Sequence, residues 1–343
     1  MRRLRAAVVL LLALGLVVGA GVVGWDFVKP LLDRTEEPVD YAGPGGDPVE
    51  VQVAEGDTGQ QIAATLQAAD VVLTEEAFTT AAATEPRASG IQPGTYRLQE
   101  QMTGEGALAL LLAPESRISL RVQLIEGLRA VDALATIEED TGIPVAELQA
   151  VADDPAVRLP AEARGNLEGY LFPATYDFEP DVTALELVAT MVARTEQSLT
   201  SAGVPPERWH RTMTVASLVE AEASREEDRP KVARVIENRV GMGMPLQFDT
   251  TVDYATGKRG LTTSDDDRAT DSPYNTYVYP GLPPGPIDSP GDSAIAAAAA
   301  PAEGPWLYFV AVNPDTGETN FAETFAEHER NVALFQQWLR ENG

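Results

Sequence analysis

The sequence contains no cysteine and only two histidines, His210 and His328, among 343 residues. The absence of cysteine excludes disulfide bonds, thiolate catalysis and thiolate metal centres. Two isolated histidines are too few for a histidine-based metal site, and their spacing does not indicate a Ser–His catalytic pair. We therefore expect neither a metal ion nor a cofactor.

Basic residues are scarce as well. The chain carries 25 Lys and Arg against 53 Asp and Glu, which gives a formal net charge of −28. Nucleic-acid binding requires a basic surface that faces phosphate, so this balance argues against it. The acidity is more typical of a solvated surface than of a binding site.

Charged residues are absent from one long run near the N-terminus, Ala6 to Gly24. The run is just long enough to cross a hydrocarbon core of ~30 Å. Arg2, Arg3 and Arg5 precede it and predict a cytoplasmic N-terminus. A cleaved signal peptide is the alternative, but its apolar region is normally shorter and ends at a small-residue cleavage site. We expect residues 1–25 to form a cytoplasmic tip and a retained single-pass anchor, with the rest of the chain outside the membrane.

Proline and glycine are frequent in residues 26–48, which we interpret as a linker. Beyond the linker a short pattern occurs twice, as VQVAEG at Val51–Gly56 and as VQLIEG at Val122–Gly127. Each copy predicts an alternating strand, a Glu-Gly turn and an amphipathic helix. Such units resemble LysM modules, which bind glycans, so we expect a LysM-like repeat region at 49–155. A spacer without a binding role is the alternative.

The most informative stretch is Met213 to Leu246. Its first part is apolar on most sides and predicts a deeply buried helix, while Asp228 and Pro230 suit the start of a second helix. Glu220 and Glu222 lie in the first helix on opposite flanks of its apolar stripe. A buried carboxylate is costly unless it is paired or protonated, so both are candidates for a general acid. The helical pattern alone does not choose between them.

Aromatic residues are concentrated in Asn166–Phe178 and in Ser272–Ile287. The second stretch has so many prolines and glycines that no regular element is expected there. Long structured loops in compact domains are commonly functional. We predict an α+β fold overall, with residues 156–343 as the catalytic domain.

Five strings stand in an order known from one family. They are Leu167–Pro173 (LEGYLFP), Ala216–Glu222 (ASLVEAE), Tyr274–Tyr277 (YNTY), Gly281–Ile287 (GLPPGPI) and Leu307–Val310 (LYFV). Together they resemble the endolytic murein transglycosylase family, also called MltG or YceG-like, over nearly the whole chain. The resemblance implies a membrane-anchored lytic transglycosylase that cuts nascent peptidoglycan strands internally, between N-acetylmuramic acid and N-acetylglucosamine. It would leave 1,6-anhydro ends, terminate strand elongation and work beside cell-wall synthases.

The family's catalytic glutamate falls on Glu220. A transglycosylase needs one acid, which protonates the bridging oxygen and then accepts a proton from the sugar's own 6-hydroxyl, and burial raises a carboxyl pKa in the required direction. The residues that we expect to contact the substrate are Glu222, Gln247, Asp249, Tyr274, Asn275 and Tyr277.

Two other functions stay open at this point. One is a muramidase-type hydrolase, which would use Glu220 together with Glu222 or Asp249 because hydrolysis normally needs two carboxylates. The other is a scaffold that binds glycan strands without cutting them.

The chain also departs from the family's pattern at Thr250, where proline is common, and we expect this change to loosen a turn.

Overall fold

The computed structural model describes residues 39–258 and 263–342 of the chain. The predicted anchor and most of the linker lie outside these residues. Within the described ranges, no helix is both long enough and apolar enough to cross a membrane. The chain divides into two compact units between Ile118 and Ser119.

The first unit is a small α+β structure. Its elements are β1 (Pro48–Val53), α1 (Gly59–Ala68), α2 (Glu75–Thr84), β2 (Gly94–Gln99), α3 (Gly104–Leu111) and β3 (Arg117–Ile118). The strands form an antiparallel sheet in the order β1-β2-β3. Successive side chains alternate across a strand, so Val51 and Val53 face the core. Leu66 of α1 and Phe78 of α2 are fully buried against the same core.

The second unit begins with the same order of elements. These are β4 (Leu120–Gln123), α4 (Ala130–Thr141), α5 (Val145–Ala150) and β5 (Thr175–Phe178), with β4 and β5 antiparallel. Gly56 and Gly127, which end the repeated Glu-Gly pair, have φ of +84° and +74°. Glycine adopts this left-handed conformation without a steric penalty. The predicted strand, turn and helix are therefore confirmed in both copies. The second copy lies in the second unit, however, whereas the sequence grouped it with the first copy in 49–155.

The rest of the second unit is mainly helical. Its elements are α6 (Ala184–Ser201), α7 (Trp209–Glu222), α8 (Arg229–Gly241), α9 (Asp249–Thr256), α10 (Asp265–Arg268), α11 (Asp292–Ala299), β6 (Tyr308–Asn313), β7 (Glu318–Ala322) and α12 (Phe325–Asn342). Strands β6 and β7 form an antiparallel pair. As predicted, the proline-rich stretch between α10 and α11 contains neither helix nor strand over its described residues, 269–291. The α+β class is confirmed.

Helix α7 is the centre of this unit. Every residue from Thr212 to Val219 is buried, and Met213 and Leu218 are fully buried. Full burial of such side chains stabilises the fold by roughly 1.5–3 kcal/mol each. Helices α8 and α11 pack against α7. Pro230 lies in the first turn of α8 as predicted, but Asp228 makes no capping hydrogen bond because its backbone is already helical.

Candidate functional site

Glu220 lies near the C-terminal end of α7, and both of its carboxylate oxygens accept hydrogen bonds. Arg229 Nη2 donates to Oε1 at 2.6 Å, and the backbone N–H of Gly291 donates to Oε2 at 3.2 Å. The side chains of Glu220 and Arg229 are only 8% and 12% exposed. Burial raises the pKa of Glu220, the Gly291 N–H and the Arg229 guanidinium oppose the rise, and Glu126 adds to it. The surroundings therefore favour a proton on Glu220 and also supply two donors to its carboxylate.

The segment 287–291 is held between α7 and the turn formed by residues 126–128. On one side, the Ile287 N–H donates to Ser217 Oγ of α7 at 3.1 Å. On the other side, Ser289 makes two backbone hydrogen bonds to the turn, at 2.8 and 2.9 Å. The Glu-Gly turn of the second repeat copy therefore helps to build the surroundings of Glu220.

Glu222, the last residue of α7, has different partners. Thr250 Oγ1 donates to its Oε1 at 2.5 Å. Burial raises the pKa of Glu222 to about 7, the Thr250 hydrogen bond opposes the rise, and Asp249 adds to it. Thr250 is the position at which the family commonly has proline. Our expectation that threonine loosens a turn at this position is wrong. Thr250 is the second residue of α9, and its hydroxyl is the hydrogen-bond partner of Glu222.

Asp249 and Tyr277 lie together beside Glu222. The Tyr277 hydroxyl donates to Asp249 Oδ1 at 2.7 Å, and Arg268 Nε lies 3.6 Å from the same oxygen. Gln247 is exposed and has a φ of +53°. Of the predicted substrate contacts, the structure thus brings Asp249 and Tyr277 close to Glu222 and leaves Gln247 at the surface.

Asn275 is fully buried within its own loop. Its amide nitrogen donates to the carbonyl oxygens of Arg268 and Thr270, at 2.9 and 2.8 Å. Its amide oxygen accepts from the backbone N–H of Tyr277 at 3.0 Å. These bonds fold the loop, so Asn275 determines where Tyr277 lies.

Tyr274 packs against Tyr254 and lines a cavity. Its ring centroid is 4.7 Å from that of Tyr254, and it lines a cavity of about 570 Å³ together with Glu168, Tyr170 and His210. His210 Nε2 donates to the carbonyl oxygen of Pro284 at 2.8 Å, so its Nδ1 accepts from the Tyr170 hydroxyl at 2.8 Å. The residues that line this cavity include none of the other predicted substrate contacts.

A second cavity, of about 300 Å³, lies against α7. It is lined by Gly127, Arg129, Ala221, Thr250, Asp253, Ile287 and Asp288. Ala221 is the residue between the two glutamates, and Thr250 is the partner of Glu222. The volume is at the lower end of the range for ligand sites, ~300–1,000 Å³. We take this cavity, called the α7 cavity below, as the candidate ligand site beside the C-terminal end of the helix.

Sequence reasoning missed two charged groups in this region, Arg229 and Asp288. Arg229 opens α8 and reaches Glu220 only because α8 packs against α7. Asp288 directly follows the string Gly281–Ile287, and an acid at the end of such a string was the signal that could have identified it. It is 6% exposed and lines the α7 cavity.

Comparison with known proteins finds one matching family and several similar proteins. The model of the YceG-like family matches residues 51–334. A Bacillus subtilis (strain 168) protein named endolytic murein transglycosylase is 33% identical over 302 residues, which cover 82% of this chain and 83% of that protein. A protein of the same name from Streptococcus pneumoniae serotype 2 is 34% identical over 324 residues, which cover 83% of this chain but 58% of the longer streptococcal protein.

A solved structure is similar over the same extent. The crystal structure of a YceG-like protein from Listeria monocytogenes aligns with a TM-score of 0.52 and 29% sequence identity. The alignment covers 83% of this chain and 99% of that chain. The similarity therefore extends to the tertiary structure.

Proposed function

The chain belongs to the YceG-like family, and on that premise we propose that it is an endolytic peptidoglycan lytic transglycosylase with Glu220 as its general acid. Its substrate is the glycan strand, which it cuts internally between N-acetylmuramic acid and N-acetylglucosamine. The observation that carries the assignment of Glu220 is a buried carboxyl with a raised pKa and two hydrogen-bond donors. A group that first gives and then takes a proton needs both properties.

The reaction proceeds without water. Protonated Glu220 donates its proton to the oxygen that bridges the two sugars as the bond from that oxygen to C1 of the muramic acid breaks. Arg229 and the Gly291 N–H stabilise the carboxylate that remains. The 6-hydroxyl oxygen of the same muramic acid then bonds to C1, and Glu220 takes up the hydroxyl proton. The products are a 1,6-anhydro end and a new free hydroxyl, and the glutamic acid is regenerated.

Product mass tests this function. Full-length protein in detergent, incubated with uncrosslinked glycan strands, is expected to yield fragments that end in the anhydro sugar and span intermediate lengths. Fragments heavier by one water would indicate a muramidase-type hydrolase. Strands of unchanged length would indicate a binding scaffold.

We also propose that Ala6 to Gly24 anchors the protein in the cell membrane, with the residues from Asp26 onward outside the cell. The support is the uncharged run with Arg2, Arg3 and Arg5 on one side only. An enzyme tethered there acts on strands as cell-wall synthases make them, and these synthases are the partners that we propose. The expected result is that protein recovered from membranes has an intact N-terminus. A mature chain that begins after Gly24 contradicts the anchor.

We propose further that the region 49–155 is LysM-like and adds affinity for glycan strands. The first copy supports this role, because its strand, helix, helix and strand lie within the region and the strands pair antiparallel. The second copy has the same order, with its closing strand β5 beyond residue 155. Deleting residues 49–118 is expected to weaken binding of long strands while the remaining chain still forms anhydro ends. Equal binding by the full and shortened chains would favour a spacer.

A further inference from the structure

Unpaired polar atoms are concentrated around Glu220. Among the described residues, four buried side-chain atoms have no hydrogen-bond partner, and three of them are Arg229 Nε, Asp288 Oδ1 and Ser289 Oγ. Arg229 is the partner of Glu220, while Asp288 and Ser289 belong to the segment joined to α7. Buried polar groups are nearly always paired, so each exception requires an explanation. A cluster of exceptions beside a cavity points to a ligand that supplies the missing partners.

Asp288 is the group whose burial costs the most free energy, because its side chain is a carboxylic acid. It is 6% exposed, and its backbone position is set on both sides by the hydrogen bonds of Ile287 and Ser289. An isolated ionised carboxylate in such a place is strongly unfavourable, whereas a neutral carboxylic acid is much less so. The geometry therefore favours the neutral acid.

The carboxyl groups that face Asp288 also favour its neutral form. Glu220 faces it from α7 and Glu168 from the segment before β5, while Arg129 faces it from the turn before α4 and Asp253 of α9 shares the cavity lining. Burial raises the pKa of Asp288 well above its ordinary value, Glu220 and Glu168 add to the rise whenever they are ionised, and Arg129 only partly opposes it. A neutral carboxylic acid offers one O–H donor.

We propose that Asp288 is protonated in the working enzyme and donates a hydrogen bond to the acetamido carbonyl oxygen of an N-acetylated sugar in the α7 cavity. This inference rests on the proposed function, in which both sugars of the strand carry an acetamido group. It makes Asp288 a residue that binds and orients the sugar next to Glu220.

The lining of the α7 cavity matches the three parts of an acetamido group. The carbonyl oxygen needs a donor, which protonated Asp288 supplies. The amide N–H needs an acceptor, and the Asp253 carboxylate lies in the same lining. The methyl group needs apolar surface, which Ala221 and Ile287 supply. A carbonyl oxygen cannot donate, so an ionised Asp288 would repel the group that its neutral form binds.

The test compares two carboxyl variants on two matched substrates. Glycan strands are de-N-acetylated and then re-acylated with either acetyl or thioacetyl groups, the second carrying sulfur, a weak acceptor, in place of the carbonyl oxygen. The ratio kcat/KM for anhydro-end formation is measured with full-length wild type, Asp288→Leu and Asp288→Asn. Leucine keeps the size but has no polar atom, whereas asparagine keeps a neutral donor.

On acetylated strands, Asp288→Leu is expected to lower kcat/KM about tenfold, the effect of one lost hydrogen bond, and Asp288→Asn to stay within about threefold of wild type. On thioacetylated strands, wild type is expected to fall to the level of Asp288→Leu, and Asp288→Leu is expected to change little. A purely structural role would not make the loss depend on the substrate's acyl group.

Three results would overturn the proposal: full activity of Asp288→Leu on acetylated strands, an asparagine variant as impaired as the leucine variant, or an equal loss for all proteins on the thio substrate. If Asp288→Leu does not fold, Asp288→Ala is measured in its place, because alanine also lacks a polar side-chain atom. Anhydro ends formed equally well by Asp288→Leu would refute this inference alone, whereas a wild type that forms none would refute the proposed function.

Discussion

Replacing Glu220 with glutamine is expected to lower turnover by roughly 10²–10⁴-fold or more, the usual contribution of general acid–base catalysis. The amide keeps the size of the side chain and can still accept the hydrogen bond of Arg229, but it has no transferable proton. Folding is expected to survive, because a buried ionisable group is exchanged for a neutral one. The measurement is the initial rate of anhydro-end formation, together with the melting temperature of the same preparation.

The chain offers a matched control for this variant. Glu237 of α8 accepts a hydrogen bond from Arg211 of α7 at 2.7 Å, so it is another glutamate–arginine pair between these helices, with more exposed side chains. Glu237→Gln is expected to leave turnover unchanged. If Glu220 served only to pair with Arg229, its glutamine variant would melt earlier but retain near-normal turnover per folded molecule. That outcome would reject the mechanism.

Replacing Glu222 with glutamine is expected to change how stability depends on pH. The pKa of Glu222 is about 7 in the folded protein, against an ordinary value of 4.5. Between these two values the unfolded chain releases a proton that the folded chain retains, so the group makes stability fall as pH rises through this window. The stability lost across this window is on the order of 3 kcal/mol, at about 1.4 kcal/mol per pKa unit. The variant does not undergo this loss. Its free energy of unfolding, compared with that of wild type, should therefore be more favourable above about pH 7 than at low pH.

Urea unfolding of both proteins at several pH values measures this difference. Glu186→Gln is a control with the opposite sign, because hydrogen bonds from Thr183 lower the pKa of Glu186. That group stabilises the fold above its ordinary pKa and loses the effect as pH falls, so its variant should lose stability at neutral pH. Parallel pH curves for wild type and Glu222→Gln would show that Glu222 titrates normally.

The same variant also tests which glutamate is the acid. Residues two apart leave a helix on nearly opposite sides, and the two carboxyls have different partners, Arg229 for Glu220 and Thr250 for Glu222. Glutamine at Glu222 can still accept the Thr250 hydrogen bond, so its loss of turnover is expected to be smaller than that of Glu220→Gln. A larger loss would move the catalytic role to Glu222.

Local patterns in the sequence predicted several elements of the fold. The apolar spacing around Met213 predicted the buried helix that became α7, and the Glu-Gly pairs predicted the turns at Gly56 and Gly127. Such signals are reliable because backbone geometry and side-chain periodicity depend on neighbouring residues. Strings such as LEGYLFP also identified the family, since they stand in this sequence whatever the fold.

The sequence by itself thus determined the buried central helix, the two strand-turn-helix units, the lack of thiol chemistry and two candidate acids on one buried helix. Only the tertiary structure decided what each acid meets. Gly291 and Arg229 reach Glu220, and Thr250 reaches Glu222, from segments that helical periodicity does not connect to α7. Asp288 became a candidate only when packing removed it from water beside other carboxyls. Burial and charge proximity set a carboxyl's proton affinity, and both arise from the folding of distant parts of the chain onto one another.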